Sequence, residues 1–194
     1  MLKHLSLIVI LSGCVFLWAQ RPVWHGEGIT ADTPPEIQQV RIVQPFETDN
    51  YILVPVASIS GESRVLARNR YWFDDFAGLS PFDYVLAWDQ MSDEENLRRM
   101  QIRLSDRSHT VRYAVELIPK TDIQNMVLHG HFIPANNEIL SEMRKVRRGH
   151  IVSYTGYIVQ PVIKSNYTRN SPIVSRSYKP AGKYFVWIEK ISIL

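Results

Sequence analysis

The architecture turns on Met126–Val159, which reads MVLHGHFIPANNEILSEMRKVRRGHIVSYTGYIV. Its two outer parts, Met126–Ile133 and Ile151–Val159, are dominated by β-branched, aromatic and other apolar residues and read as strands. The middle changes period. Ile139, Leu140, Met143 and Val146 fall at i, i+1, i+4 and i+7, an apolar stripe along one face of a helix. Asn136 is placed to cap that helix over Asn137–Val146, and Gly149 sits where a left-handed C-terminal cap belongs. Gly156 interrupts the second strand and predicts a bulge or a bend. A helix between two late strands, in a chain otherwise full of strand signals, predicts an α+β fold. The form expected is a small OB-like β-barrel with a few short helices, with a generic α+β sheet as the alternative.

Upstream, Tyr51–Ile59 (YILVPVASI) reads as a strand in which Pro55, lacking an N–H, implies an edge position or a bulge. Ser60–Ser63 punctuates it, and Arg64–Trp72 reads as a second strand. Ser80-Pro81-Phe82-Asp83 has the form of a helix start: Ser80 as N-cap, Pro81 first, Asp83 third. A helix is therefore expected over Ser80–Gln90, with Phe82, Val85 and Leu86 on its buried face. Ser92-Asp93-Glu94-Glu95 repeats the signal, Glu95 closing a capping box and Leu97 and Met100 lying on the buried side. Strands are expected at Gln101–Leu104, Val111–Leu117 and Tyr184–Ile193, with Lys164–Pro180 a long polar loop.

Leu5–Ala19 (LSLIVILSGCVFLWA) carries no charge, and Lys3 and Arg21 flank it. Fifteen helical residues cover about 22 Å of a hydrocarbon core of about 30 Å, enough for an uncleaved anchor once Met1–His4 are added and Lys3 snorkels. Leu11-Ser12-Gly13-Cys14 also has lipobox form, which would make Cys14 a lipidation site, and cleavage after Ala19 is a third reading. Each exports the remainder of the chain. One organisation covers all three: a hydrophobic N-terminal helix or signal at 1–20, a Pro- and Gly-bearing extended linker at 21–45, and an exported domain at 46–194.

Composition limits the function. The 194 residues hold 22 Lys+Arg and 19 Asp+Glu, with 45% apolar and 21% charged residues, so the chain is globular rather than disordered. Setting aside residues 1–20, whose only charged side chain is Lys3, leaves 21 basic and 19 acidic groups. A near-neutral domain lacks the charge for a phosphate track, and no nucleic-acid partner is expected. With Cys14 as its one cysteine, the chain has neither an internal disulfide nor a cysteine zinc site.

Arg21-Pro22-Val23 with His25 and Gly28, then Leu79-Ser80-Pro81-Phe82-Asp83 running on to Trp88, come before Met91-Ser92-Asp93, His131-Phe132-Ile133-Pro134-Ala135 and the Val146–Val159 stretch. In that order these motifs resemble an uncharacterised family of bacterial membrane-anchored envelope proteins with LSPxD…MSD and HxIPA motifs. The resemblance runs from Arg21 to the C-terminus and implies an N-terminal anchor and a periplasm-facing domain, but supplies no reaction. The chain departs from the family pattern in four places. A polar His-Ser-x-Asn run in relatives is here Met126-Val127-Leu128-His129, and their Gly-Asp is Gly149-His150. Their Ser-Arg-Asp-Gly-like stretch survives only as Ser175-Arg176-Ser177, and their cysteine near the last strand is missing. A polar site that relatives build from those groups would be altered or lost here.

Three groups of residues carry candidate chemistry. On a strand, His129 and His131 point to one face and could hold zinc with a third ligand from His109, His150, Glu116 or Asp106, while Gly130 would admit a second backbone. Asp74, Asp75, Asp83, Asp89 and Asp93 form an acidic stretch, of which Asp83 and Asp93 are expected to serve helix starts. Arg144, Lys145, Arg147 and Arg148 exceed what a helix dipole needs and suggest contact with anionic lipid or another subunit. The function expected is a membrane-tethered envelope domain that binds or assembles with an envelope protein partner. A small metal-dependent hydrolase using His129, His131 and nearby carboxylates, with zinc as the metal, is the alternative.

Overall fold

A computed structural model describes Gly13 and residues 21–40, 44–167 and 178–194. The strongly β-forming sequences pair as expected, but in longer pieces. After β1 (Glu36–Gln39) and β2 (Phe46–Glu47) comes β3 (Tyr51–Arg70), one strand of 20 residues where two were expected. No turn forms at Ser60–Ser63 because Gly61 serves a crossing instead. A Cβ there would lie 2.8 Å from the Pro35 Cα, so glycine lets the N-terminal segment pass over the strand. Register shifts at Pro55/Ala57 and Val65/Ala67 bend β3, the first of them at the proline expected to mark a bulge.

The remaining elements are β4 (Phe82–Ala87), α1 (Glu94–Arg98), β5 (Met100–Ser105), β6 (Ser108–Tyr113), α2 (Lys120–Asn125), β7 (Val127–Pro134), α3 (Asn137–Lys145), β8 (Ile151–Ile163) and β9 (Gly182–Ile193). Short 3-10 turns occupy Asp89–Ser92 and Lys164–Asn166. The bent β3 pairs with β8 along its first part and with β4 along its second. β4 pairs with β7, β7 runs parallel to β9, and β9 pairs with β8. The pairings β3-β4-β7-β9-β8-β3 thus close a ring of five strands. β1 and β2 extend β3, while β5 and β6 form a separate hairpin. The fold is mixed α+β, mostly strand, with three short α-helices among the described residues.

The Phe132 and Tyr154 rings meet at 6.1 Å although β7 and β8 are not paired, so they meet across the inside of the ring. Phe82 and Tyr84 join them, all four fully buried. Tyr84 donates its hydroxyl to the Met143 carbonyl at 2.7 Å, tying the inner aromatics to α3. That helix starts as its sequence predicts: the Asn136 side chain accepts from the Ile139 N–H at 3.0 Å. Ile139, Met143 and Val146 are its buried stripe. Gly156 coincides with a register shift against β9, as expected.

The expected helix at Ser80–Gln90 is instead β4, with all six residues buried. A short apolar run hemmed in on both sides by strands is compatible with either period, and pairing with β3 and β7 chose the strand. The cap-like residues are used otherwise: the Ser80 hydroxyl reaches the Phe82 carbonyl, and Asp83 lies at the centre of the site described below. In α1 the cap is Asp93, accepting from the Glu95 N–H at 2.9 Å, while Glu95 pairs with Arg99 rather than closing a box, and Met100 opens β5. Ser92 is buried, and its hydroxyl accepts from the Thr30 and Ala31 N–H groups. β6 lies nearer the N-terminus than the expected Val111–Leu117, because a tight turn with Asp106 and Arg107 at φ 49° and 52° joins it to β5.

Residues 21–40, expected as a linker, are extended but tied to the domain. Val23 N–H bonds the Arg148 carbonyl at 2.9 Å, His25 N–H bonds Glu94 at 3.1 Å, and β1 joins β3. Gly149 has φ +90°, the left-handed conformation expected of it, but its use is a close crossing: a Cβ would fall 1.9 Å from the Val23 carbonyl oxygen. Gly149→Ala is expected to cost about 2 kcal/mol or more, read as a lower urea midpoint. An unchanged midpoint would show that Val23 is not held there. Residues 1–20 apart from Gly13, Cys14 among them, lie outside the described residues, as do residues 168–177 of the expected polar loop. Among the described residues no helix is long and apolar enough to cross a membrane.

Candidate functional site

Strand pairing places Asp83 opposite His131 and Val85 opposite His129. Side chains alternate along a strand, so Asp83, His129 and His131 share the face opposite Phe82, Tyr84 and Phe132, which is the outer face of the ring. Gly130 between the histidines makes room for its own neighbour, not for a second backbone: a Cβ there would sit 2.2 Å from the Phe132 ring. The outer face is nevertheless sealed. Asp83 and His129 are 0% exposed and His131 5%, because the β5–β6 hairpin lies over them.

Asp83 is the hub. Its Oδ1 accepts from His131 Nδ1 at 2.8 Å and from Arg107 Nη1 at 3.1 Å, and its Oδ2 accepts from His129 Nε2 at 3.2 Å. An ionised carboxylate only accepts, which assigns the ring protons to Nε2 of His129 and Nδ1 of His131. His129 Nδ1 is then free to accept from His109 Nδ1, 3.3 Å away. Arg107 also grips Asp74 through Nε and Nη2 at 3.0 and 2.8 Å, donates to the Ser80 carbonyl at 3.0 Å, and lies 4.1 Å over the Tyr71 ring. The hairpin turn is thereby clamped over the cluster.

Burial alone would raise the Asp83 pKa, but hydrogen bonds from His129 and His131, with the charges of His131 and Arg107, outweigh it and hold the carboxyl below its usual 3.8. Burial lowers His129 below 6.5 despite Asp83, and lowers His109 and His150 likewise. For these three histidines the unfolded chain takes up protons first. Their contribution to stability is full above the unfolded value of 6.5 and is lost as pH falls below it. The depressed Asp74, Asp83 and Glu94 contribute above their unfolded values of 3.8 to 4.5, and that contribution is lost at lower pH. Thermal melts should therefore decline in two steps, first below about pH 6.5 and again below about pH 4. A flat profile through the first window would contradict buried neutral histidines.

Of the third ligands named from sequence, the structure brings only His109 to the pair. His150 Nδ1 accepts from Arg147 N–H, Glu116 accepts from Lys120 N–H, and Asp106 occupies the hairpin turn. Asp83 completes the group, its donor atom and those of His129 and His131 lying within 4.8 Å of one another. The strand period would have revealed it had Phe82–Ala87 been read with period 2, whereas Arg107 carried no sequence signal. The acidic stretch divides. Asp74 and Asp83 share Arg107, Asp93 caps α1, and Asp89 opens a 3-10 turn.

A second constellation forms around α3. A groove of about 640 Å³ is lined by Arg68, Arg70, Trp72, Arg144, Arg147 and Arg148 among others, with no aspartate or glutamate in its lining among the described residues. Three of the four cations expected to bind are therefore there, joined by two arginines of β3. Lys145 is not; it pairs with Glu142 at 2.6 Å. Arg68 donates to the Arg144 carbonyl at 3.3 Å and sits 4.7 Å over the Phe82 ring, and Arg70 lies 3.4 Å over Trp72. Burial, and then the neighbouring charges of Arg144 and Arg68, push the Arg70 pKa down. A separate groove of about 920 Å³ runs beside His109 between β6, α2 and Lys183.

Compared with known proteins, the chain matches no family model, no curated protein and no solved structure.

Proposed function

We propose that the protein is a membrane-tethered, periplasm-facing bacterial envelope domain that acts as a binding and assembly component, with the arginine groove taking an anionic ligand. The observation that carries this reading is the convergence of Arg68, Arg70, Arg144, Arg147 and Arg148 on one groove, with no carboxylate in its lining among the described residues. Crowding like charges costs free energy in the empty protein, and an anion relieves it. The apolar run at Leu5–Ala19 supports the tether, and the motif order supports the envelope setting. The ring is read as an OB-like barrel. Its pairing order, with the third ring strand parallel to the fifth and a helix between the third and fourth, supports that reading.

The test uses the full chain expressed in bacteria, with a photo-crosslinking residue in place of Trp72. A discrete adduct in the membrane fraction that disappears in R144E/R147E supports the reading. Fractionation as a free soluble protein, or adducts indifferent to the charge reversal, would reject it.

A zinc-dependent hydrolase remains as the second reading, favoured by the Asp83, His129 and His131 donor atoms. It ranks lower because those atoms already satisfy one another and no described substrate path reaches them. Zinc retained through purification and lost in His129→Ala would raise it; metal-free protein would end it.

A further inference from the structure

The N-terminal segment meets the arginine groove at a specific point. Val23 N–H bonds the carbonyl of Arg148, and Arg148 itself lines the groove. His25 Nε2 lies 2.7 Å from the carbonyl oxygen of the next residue, Gly149, so the attachment is doubled. The apolar run ends at Ala19, four residues before Val23. Four residues reach at most about 14 Å. A run seated in a bilayer therefore holds the Arg148 edge of the groove within about 14 Å of the end of that run, less than two Debye lengths of about 8–10 Å. Three large aromatic side chains are exposed: Trp24 and Trp72 at 61% and Phe73 at 99%. Trp24 neighbours the pinned residue, and Trp72 lines the groove under Arg70. Arginines beside exposed tryptophan and phenylalanine form the pairing that suits a headgroup layer, where phosphates meet the cations and rings enter the interface.

We infer that the arginine groove docks on the anionic phospholipid headgroups of the membrane that holds the chain's own N-terminal segment, with Trp72 and Phe73 entering the interface. This rests on the tether reading above. The phosphate diester of a phosphatidylglycerol or cardiolipin headgroup supplies the negative oxygens, and the guanidinium forks match them. Docking fixes the orientation of the domain on the bilayer.

The experiment reconstitutes the full chain in lipid nanodiscs with brominated acyl chains, either purely phosphatidylcholine or one-third phosphatidylglycerol. The fluorescence difference between the native chain and Trp72→Phe isolates Trp72. Quenching of Trp72 is expected in the anionic discs and not in the neutral ones, and it should fade at 1 M salt, where screening shortens to about 3 Å. Arg70→Gln, which removes one charge, is expected to weaken apposition about fivefold, and Arg144→Glu, which reverses one, by more than that. Arg70→Gln is the milder change, and the salt series on the native chain needs no variant. A chain that enters the discs but shows no anionic-lipid-dependent quenching overturns the docking and leaves the tether standing. A chain that does not co-purify with discs overturns both. Equal quenching in the two lipids, or its loss to millimolar inorganic phosphate, would assign the groove to something other than headgroups and overturn the inference.

Discussion

Asp83→Ala is expected to lower the unfolding free energy by about 3–5 kcal/mol, the range for removing one partner of a buried charge network. The size follows from what is orphaned. Arg107 Nη1, His129 Nε2 and His131 Nδ1 all donate to this one carboxylate, which is 0% exposed. Without it, two buried imidazole N–H groups lose their acceptor, and Arg107 is left with Asp74, the Ser80 carbonyl and Tyr71 as its anchors. Asp83→Asn retains an acceptor oxygen but turns an amide N–H₂ toward a donor, so its loss should fall between native and alanine. Urea unfolding measures the series, and amide exchange over Met100–Tyr113 reports whether the hairpin has come loose. A loss under about 1 kcal/mol, with the hairpin still protected, would mean that the cluster does not clamp it.

The second large effect belongs to Arg64 and Glu94. Their side chains are 3% and 0% exposed and form an ion pair, with Arg64 Nη1 also donating to the Ser92 carbonyl at 2.9 Å. Two of their atoms, Arg64 Nε and Glu94 Oε1, have no hydrogen-bond partner among the described residues. A buried pair that is incompletely satisfied is costly to break and inexpensive to replace. Glu94→Ala should cost about 3–5 kcal/mol, because it leaves a buried guanidinium uncompensated. The double change R64M/E94L should cost far less than the two single changes together, and a double-mutant cycle reads that difference as coupling. Additive losses would show that the pair is not coupled. Glu94 also accepts from His25 N–H, so Glu94→Ala should speed proteolysis within residues 21–31.

Two kinds of sequence signal behave differently in this chain. Local signals survived folding where the residue's own backbone needs are the cause. Asn136 caps α3, Gly156 sits at a bulge, Pro55 marks a register shift, and Gly149 is left-handed. Signals that depend on a partner were misleading. Ser80-Pro81-Phe82-Asp83 carries every mark of a helix start, yet Phe82–Ala87 is a strand because β3 and β7 take its hydrogen bonds on both sides. The same error hid the site: read as a helix cap, Asp83 had no reason to meet His129 and His131. Gly61 misled for a related reason, since what it accommodates is Pro35, 26 residues earlier in the chain.

The amino-acid order alone therefore establishes the β-rich α+β class, the stripe and cap of α3, the same-face placement of His129 and His131, and the crowding of cations after residue 143. These follow from periodicity and backbone preference, which act over a few residues. Folding supplies the rest: the closure of five strands into a ring, the meeting of Asp83 and Arg107 with the histidines, and the arrival of Arg68 and Arg70 beside Arg144, Arg147 and Arg148. Each of these joins residues a dozen or more positions apart, most of them far more. Such contacts exist only once strand pairing has fixed register, and register is a property of two strands together.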